Sequence, residues 1–268
     1  MNSVKRVFLS ATLLGCFIFC TGITFKDKQL NMVLDNLSRW HMVKVDHQEY
    51  QITGAGTPIR GSWKSQGLTV QALSLEGLIR SGRGQRLELI KATLKGDVVV
   101  DLASHLKAQA EPRKTYLKSQ EIQYSQQNLQ ILLPLPFTLT STYPEESQTL
   151  SLSGKKATLF LLPKKNTLKE GTIKGPVHLK AETLTRSPSK KEVFSKILIE
   201  SKADQMEISK EGLQITMLGN VHIKGEQEAF SGEAEADQAI IYFNEKREII
   251  EIDLKGNPGK TVLQKEIR

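Results

Sequence analysis

The chain has 268 residues, of which 39% are hydrophobic, and it carries a formal net charge of +8. This length and composition predict one large or two small folded domains and argue against a wholly disordered chain. Only 6% of the residues are aromatic, so an extended base-stacking surface is excluded as the reason for the positive charge, and no nucleic-acid partner is expected.

The N-terminus predicts a membrane segment. Lys5 and Arg6 precede Val7–Phe25, a run of 19 residues without a charged side chain. A helix needs about 20 apolar residues to cross a bilayer. Segment 1–25 therefore predicts a single-pass inner-membrane anchor, and the positive-inside rule places the bulk of the chain in the periplasm. A cleaved secretory signal is the alternative, and Cys16 at the end of "LLGC" also allows lipidation.

The exported part offers little for chemistry. Both cysteines, Cys16 and Cys20, lie in the N-terminal segment, so no thiol remains for a disulfide or a metal. The five histidines lack ligand spacing, and "SGRGQR" (81–86) lacks the Gly-Lys-Ser/Thr ending of a phosphate loop. No nucleophile motif appears, and the pair Glu145 and Glu146 lies in a turn-like stretch. We therefore expect no catalytic residue, no metal, no cofactor and no enzymatic activity.

A short helix is predicted directly after the membrane segment. Its apolar residues recur at intervals of three and four, which is typical of an amphipathic helix; they are Leu30, Val33, Leu34, Leu37 and Trp40. Residues 26–47 are thus expected to form a juxtamembrane helix or linker, or a helix that caps a β domain.

From residue 48 onward the period changes to two, which predicts strands. Short runs at 67–77, 92–102, 121–125, 157–162 and 175–184 alternate between apolar and polar residues and are broken by turn residues. The predicted fold class is all-β and antiparallel. We expect an N-terminal β region (48–165) and a C-terminal one (166–268), with "RSPSKK" (186–191) or the turn-forming "LPLP" (133–136) as boundaries; a continuous sheet crossing both is the alternative.

The sequence also contains an internal repeat. "SQEIQYSQQNLQI" (119–131) aligns with "ADQMEISKEGLQI" (203–215) without gaps, 84 residues apart, and "ADQAIIYF" begins a third copy at Ala236. Ile122 and Met206 share an apolar position, while Asn128 and Gly212 share a position suited to positive φ. The repeat predicts one strand-turn-strand unit.

The alternation is clearest between 203 and 258. There the sequence "ADQMEIS…GLQITMLGNVHIKG…EAEADQAIIYFNEKREIIEIDLKGNP" places apolar residues on one face and polar residues on the other. The Ala-Asp pairs, the "GNV" strand start and the closing "GNP" at 256–258 resemble the OstA-like superfamily of lipopolysaccharide-transport proteins, which includes LptA and LptC. The resemblance covers about 60 C-terminal residues.

That resemblance implies an open-edged antiparallel β-jellyroll whose apolar trough holds lipid A acyl chains. It further implies partners: lipopolysaccharide, an inner-membrane ABC transporter and other jellyroll bridge proteins, joined by edge-strand pairing. A retained anchor resembles LptC, and a cleaved signal resembles the soluble LptA. The expected lipid-binding residues are Met206, Ile208, Ile215, Met217, Val221, Ile223, Ile241, Phe243, Ile250 and Ile252.

Charge is unevenly distributed along the chain. Residues 154–191 carry a local +8 and residues 226–253 a local −7. The basic stretch could meet lipid A phosphates and the acidic one a basic partner; solvated sheet faces are the simpler explanation. An anchored β module that binds a protein or glycan around a closed core is the alternative function, and a β-rich envelope hydrolase is a third.

Overall fold

The computed structural model describes residues 23–27, 32–63, 68–81, 87–104, 113–143, 148–162, 168–186, 194–227, 230–243, 249–256 and 260–265. These residues form sixteen strands and a single 3-10 turn at Lys210–Gly212. The strands are β1 (Ile23–Asp27), β2 (Met32–Lys44), β3 (Glu49–Trp63), β4 (Leu68–Ser81), β5 (Leu87–Ser104), β6 (Arg113–Ser125), β7 (Gln130–Leu133), β8 (Phe137–Tyr143), β9 (Gln148–Gly154), β10 (Lys156–Leu161), β11 (Leu168–Arg186), β12 (Phe194–Ser209), β13 (Gln214–Gln227), β14 (Phe230–Phe243), β15 (Ile249–Lys255) and β16 (Lys260–Lys265).

All described strands belong to one antiparallel sheet in which most successive strands are neighbours. Three positions in the sheet are filled by two short strands each: β7 and β8 both pair with β6, β9 and β10 both pair with β11, and β15 and β16 both pair with β14. The sheet begins at β1 and ends at β15 and β16. It therefore has two open edges.

A crease crosses the middle of the sheet. Most long strands skip two or three residues of pairing there; between β5 and β6, for example, the register shifts between Lys95 and Val98. Positive φ angles, which favour Gly and Asn, mark the crease at Asn36, Gly96, Gly175, Gly219 and Asn220. Pro134–Pro136 separates β7 from β8 along the same line. Prolines are tolerated there because the crease leaves the ladder unpaired.

One face of the sheet forms the core. Two apolar clusters occupy it: a small one among β2–β5 that includes Leu37 and Ile52, and a large one that runs to β14 and includes Met206 and Ile241. The large cluster joins residues from both sides of the crease, such as Leu179 and Ile208. Since the described residues include neither a long helix nor a second sheet, the sheet covers its own apolar face by bending.

The predicted all-β antiparallel class is confirmed. The runs at 67–77, 92–102, 121–125, 157–162 and 175–184 lie within or almost within β4, β5, β6, β10 and β11. The "GNP" at 256–258, expected to end the ladder, only interrupts it, because β16 resumes pairing with β14. Asn257 and Pro258 themselves lie outside the described residues.

The predicted helix within 26–47 is wrong. Its described residues belong to strands β1 and β2 and to the turn at 45–47. The spacing of three between Leu37 and Trp40 arises from a bulge, since Leu37 and Arg39 pair with the consecutive residues Gly56 and Ala55. The extra residue, Ser38, donates its hydroxyl to the Ala55 carbonyl oxygen at 2.9 Å. A bulge adds one residue to the period of two, and so imitates a helical interval.

The repeated unit is a hairpin in both copies. Ser125 pairs with Gln130, and 84 residues later Ser209 pairs with Gln214. The carbonyl oxygens of the equivalent Leu129 and Leu213 each accept a backbone hydrogen bond from the strand next to the hairpin in the sheet, from Leu161 of β10 at 2.8 Å and from Phe243 of β14 at 2.9 Å. Positive φ falls on Gly212 as expected, but in the first copy it falls on Leu129 and not on Asn128.

The sheet continues through the expected domain boundaries. β10 pairs with β11 across the division between 165 and 166, and β11 pairs with β12 on either side of 187–193. At the N-terminus, Ile23–Phe25 of the expected span belong to β1, whereas Val7–Gly22, with both cysteines, lies outside the described residues. Within the described residues, no helix is both long and apolar enough to cross a membrane.

Candidate functional site

A continuous row of mostly apolar side chains crosses the inner face of the sheet. Its members are cross-strand partners, so each lies directly opposite the next. All of them lie on the core face of the sheet, on the same side of the crease as the β2–β3 turn. The row, called here the Met42–Ile252 row, consists of Met42, Ile52, Gly77, Ala92, Tyr124, Ile131, Leu159, Gly171, Ile208, Ile215, Ile241 and Ile252. Neighbouring strands lie about 4.8 Å apart, so the row is roughly 50 Å long.

The row is closed in its middle and open at its ends. Ile208, Ile215 and Ile241 are buried, whereas Met42 at one end is 46% exposed and Ile252 at the other is 37% exposed. The ends are exposed because β2 lies next to the short edge strand β1, and β15 is itself an edge. The apolar interior of the sheet is thus accessible at both lateral edges.

The structure brings the sequence-predicted lipid-binding residues together on this face. Eight of them are buried in the large apolar cluster: Met206, Ile208, Ile215, Met217, Val221, Ile223, Ile241 and Phe243. Ile252 pairs with Ile241 and continues the same row. Ile250 lies at a register shift between β14 and β15, without a direct partner, and is 64% exposed.

Glycines let side chains fill the interior closely. A Cβ at Gly171 would lie 2.6 Å from Leu159 Cδ2, and one at Gly154 would lie 2.5 Å from Ile173 Cγ2. Both distances are well below van der Waals contact. Protein side chains therefore occupy the space that these glycines leave.

Tyr124 is the polar member of the row. Burial raises the pKa of its phenol, because the charged phenolate is poorly solvated there. Its hydroxyl donates a hydrogen bond to Gln126 Oε1 at the end of the strand. The hydroxyl is thus satisfied without a polar group inside the core.

The outer face carries charge pairs, both between neighbouring strands and along one strand. Lys180 Nζ lies 2.9 Å from Glu200 Oε1. The hydrogen bond from Lys180 lowers the pKa of Glu200, and the same bond raises the pKa of Lys180. Lys224 pairs with Glu226 at 2.7 Å, and this hydrogen bond raises the pKa of Lys224. All four side chains are exposed, so each pair adds little to stability.

Two shallow grooves lie between the outward side chains. One, of about 510 Å³, is bordered by Thr140, Ser151, His178 and Lys202, and another, of about 420 Å³, is bordered by polar and apolar residues of β2–β6 that include Arg60, Gln71 and Val99. The basic stretch predicted at 154–191 thus contributes to the outer face, where its Lys180 pairs with an acid. The acidic stretch contributes Glu226 to the same face.

The remaining candidate residues are dispersed. His41, His47 and His178 are exposed, and His222 Nε2 lies 4.0 Å from Glu233 Oε2. His105, Gly82–Arg86 and the pair Glu145 and Glu146 lie outside the described residues. In the part of the chain that the structure describes, no three His, Cys, Asp or Glu side chains come close enough to share a metal ion.

The repeated Asp and Gly-Asn motifs lie at the crease. Asn220 Nδ2 donates to Asp204 Oδ2 at 2.7 Å, across β12 and β13. A Cβ at Gly219 would lie 2.7 Å from the same oxygen, and a Cβ at Gly256 would lie 2.4 Å from Asp237 Oδ2. The motifs that carry the family resemblance therefore build the bend of the sheet.

Sequence reasoning missed the N-terminal half of the row. Ile52, Ala92 and Leu159 lie on it, but Gly77 and Gly171 interrupt the apolar pattern between them. The glycines are the sequence feature that could have located this half of the row, because a Cβ at either position would meet an apolar neighbour.

Comparison with known proteins adds no family. No protein-family model and no curated protein matches the chain. The solved structure of P47 of Clostridium botulinum E1 aligns with 99% of this chain and 80% of that chain, at 8% identity and a TM-score of 0.18. So low a score supports no conclusion about fold or function, so the functional argument depends on the residues of this chain.

Proposed function

We propose that the chain is a non-enzymatic, OstA-like component of lipopolysaccharide export that holds lipid A acyl chains on the inner face of a bent β-jellyroll. The observation that carries this proposal is the Met42–Ile252 row: one mostly apolar surface, roughly 50 Å long, which crosses twelve strand positions and is exposed at both ends. A carrier that passes an acyl chain along itself needs such a surface, with an entry and an exit.

The energetics of exchange are compatible with transfer. Burial of apolar surface stabilises by roughly 25 cal/mol per Å², whichever apolar group covers it. An acyl chain that replaces contacts between Ile215, Ile241 and the facing half of the sheet exchanges one apolar contact for another. The net free-energy change is therefore small, and lipid can enter and leave without a chemical step.

The proposed location is the inner membrane, with the β sheet in the periplasm. Because β1 begins at Ile23, the uncharged segment shortens to Val7–Gly22, which as a helix is about 24 Å long. A bilayer core of about 30 Å accommodates that mismatch by local thinning. If the segment is retained, the role is LptC-like, next to an ABC transporter. The mass of the mature protein distinguishes this from the soluble LptA-like alternative, in which the mature chain begins near residue 23.

The open edges are the proposed contacts with other bridge proteins. β1 and β15 with β16 each leave one side of the strand without a partner within the described sheet. Such edges pair readily with strands of another molecule.

Photo-crosslinking in cells tests the lipid path. A photoreactive residue at Ile215, Ile241 or Ile252 faces the row, whereas the adjacent Thr216 and Glu251 face the other side of the sheet and are matched controls. We expect lipopolysaccharide adducts at the three isoleucine positions and none at the controls. Substitution of Ile252 disturbs folding the least of the three, because its side chain is already partly exposed. Absence of adducts at all three positions, in folded protein, would refute the proposal.

A closed structural module is the second candidate. It is favoured by the complete burial of Met206, Met217 and Ile241 and by the close approach to Gly171. In that case the ligand, a protein or a glycan, would meet the outer grooves. Protein or glycan adducts of a photoreactive residue at Thr140 or Gln71, which border the two grooves, together with no lipid adduct at Ile215, Ile241 or Ile252, would support this alternative.

A further inference from the structure

We propose that the β2–β3 hairpin tip, residues 42–48, is a bilayer-contacting surface. Three apolar residues of this tip are unusually exposed: Met42 by 46%, Val43 by 43% and Val45 by 50%. Exposed apolar side chains that occur singly need no explanation, but a group at one tip indicates an interaction site. This inference goes beyond the lipid-carrying role; it rests on the proposed membrane segment and not on lipid A binding.

The tip is rigidly built and is not a frayed strand end. Val45 N donates to the Glu49 carbonyl oxygen at 3.0 Å, which closes the turn. Ser81 N donates to the Gln48 carbonyl oxygen at 2.7 Å, which ties the turn to β4. Arg80 binds Glu49 Oε1 through Nη2 at 2.6 Å and Nε at 3.0 Å. These hydrogen bonds thus fix the backbone that carries the exposed apolar side chains.

The path of the chain places a membrane on this side of the molecule. β1 runs antiparallel to β2, with Ile23 opposite Leu37 and Asp27 opposite Met32. The N-terminal end of β1 therefore points toward the tip, which begins only five residues beyond Leu37, or about 17 Å along the strand. The segment that precedes Ile23, Val7–Gly22, is uncharged. A bilayer that receives this segment therefore lies beyond the end of the hairpin, next to the exposed Met42, Val43 and Val45.

The charges of the tip fit an apolar contact better than an electrostatic one. Lys44 and Asp46 are opposite in sign, and Glu49 is paired with Arg80. The tip therefore has almost no net charge, and its attraction to a bilayer comes from burial of its apolar side chains. Such a contact needs no anionic lipid and is insensitive to salt, unlike that of a polybasic surface.

Photo-crosslinking of the full-length chain in phosphatidylcholine vesicles tests the inference. The probe is placed at Val43, and Leu73, which is 45% exposed but lies at the crease, is the matched control. We expect phospholipid adducts at Val43 to exceed those at Leu73 by about tenfold, with no change at high salt, because apolar burial drives the contact. Equal labelling at the two positions overturns the inference, as does an adduct of Val43 with residues 7–22 of the same chain.

A second variant separates contact from folding. Val43→Asp combined with Val45→Asp alters only exposed positions, so the fold is retained, and we expect it to abolish lipid adducts of a probe at Lys44, which is exposed at the tip but lies outside the Met42–Ile252 row. The control variant Leu73→Asp is expected to leave those adducts unchanged. Unaltered labelling in the double variant would contradict the inference. If the tip does not contact the bilayer, the lipid adducts expected at Ile215 and Ile252 are unaffected. The two proposals can therefore fail independently.

Discussion

Replacement of Gly171 by Ala tests whether the interior of the sheet is as tightly filled as its glycines indicate. The new Cβ would lie 2.6 Å from Leu159 Cδ2 and 3.1 Å from the Thr158 carbonyl oxygen. Carbon atoms in contact prefer 3.5–4.0 Å, so the Leu159 side chain must move by about 1 Å. Leu159 is buried and has little room to do so.

The expected magnitude follows from this crowding. Overpacking of a core costs about 1–3 kcal/mol, less the roughly 0.4–1 kcal/mol gained when Ala restricts the unfolded chain. We expect Gly171→Ala to lower the free energy of unfolding by about 1–2 kcal/mol. Leu159→Ala alone costs about 2–5 kcal/mol. The double variant should cost less than the sum of the two, because the shortened side chain removes the clash.

Chemical denaturation of the four proteins in this cycle measures the coupling. Gly225→Ala is the matched control: it lies in β13, it needs no positive φ, and its Cβ would meet nothing within 4 Å. We expect that control to be neutral or slightly stabilising. Additive effects of Gly171→Ala and Leu159→Ala would refute the packing of these two strands as described.

Three further predictions concern the crease, the outer face and the open edge. Gly219→Ala, at φ +72° and 2.7 Å from Asp204 Oδ2, should lower the free energy of unfolding by more than about 1 kcal/mol; denaturation beside Gly225→Ala checks this. The hydrogen bond from Lys180 lowers the pKa of Glu200. The pair therefore stabilises the folded state at pH values above the unfolded-state pKa of the carboxyl, and this stabilisation is lost as the pH falls through the folded-state pKa. Lys180→Gln should raise that pKa in an NMR titration, and an unchanged value would contradict the ion pair. Ile250→Asp, at an exposed site, should change stability by less than about 0.5 kcal/mol but weaken lipid A binding, measured by fluorescence titration; unchanged binding would exclude this position from the lipid path.

Alternation in the sequence predicts the strands well where both faces keep a period of two. β4, β5 and β11 were predicted in this way, and so was the apolar face that contains Ile215 and Ile241. The cause is physical: side chains on a strand point alternately to opposite faces, so a buried face is visible as a repeat.

Bulges and glycines explain what sequence reasoning could not predict. The bulge at Ser38 gave β2 a helical spacing, because an unpaired residue shifts the alternation by one. Gly77 and Gly171 belong to the buried row although they carry no apolar side chain. The exposure of Ile252 depends on its place in an edge strand, and strand order is a long-range property that the alternation of a single strand does not contain.

Direct binding of lipid A to the purified full-length protein tests the central claim. The acylated lipid is compared with the same phosphorylated disaccharide after removal of its acyl chains, for the natural chain and for Ile252→Asp. We expect the acylated form to bind, the deacylated form not to bind, and Ile252→Asp to weaken binding, because the acyl chains lie on the Met42–Ile252 row. Equal binding of both forms, or no binding of the acylated form, would contradict a lipid-carrying interior.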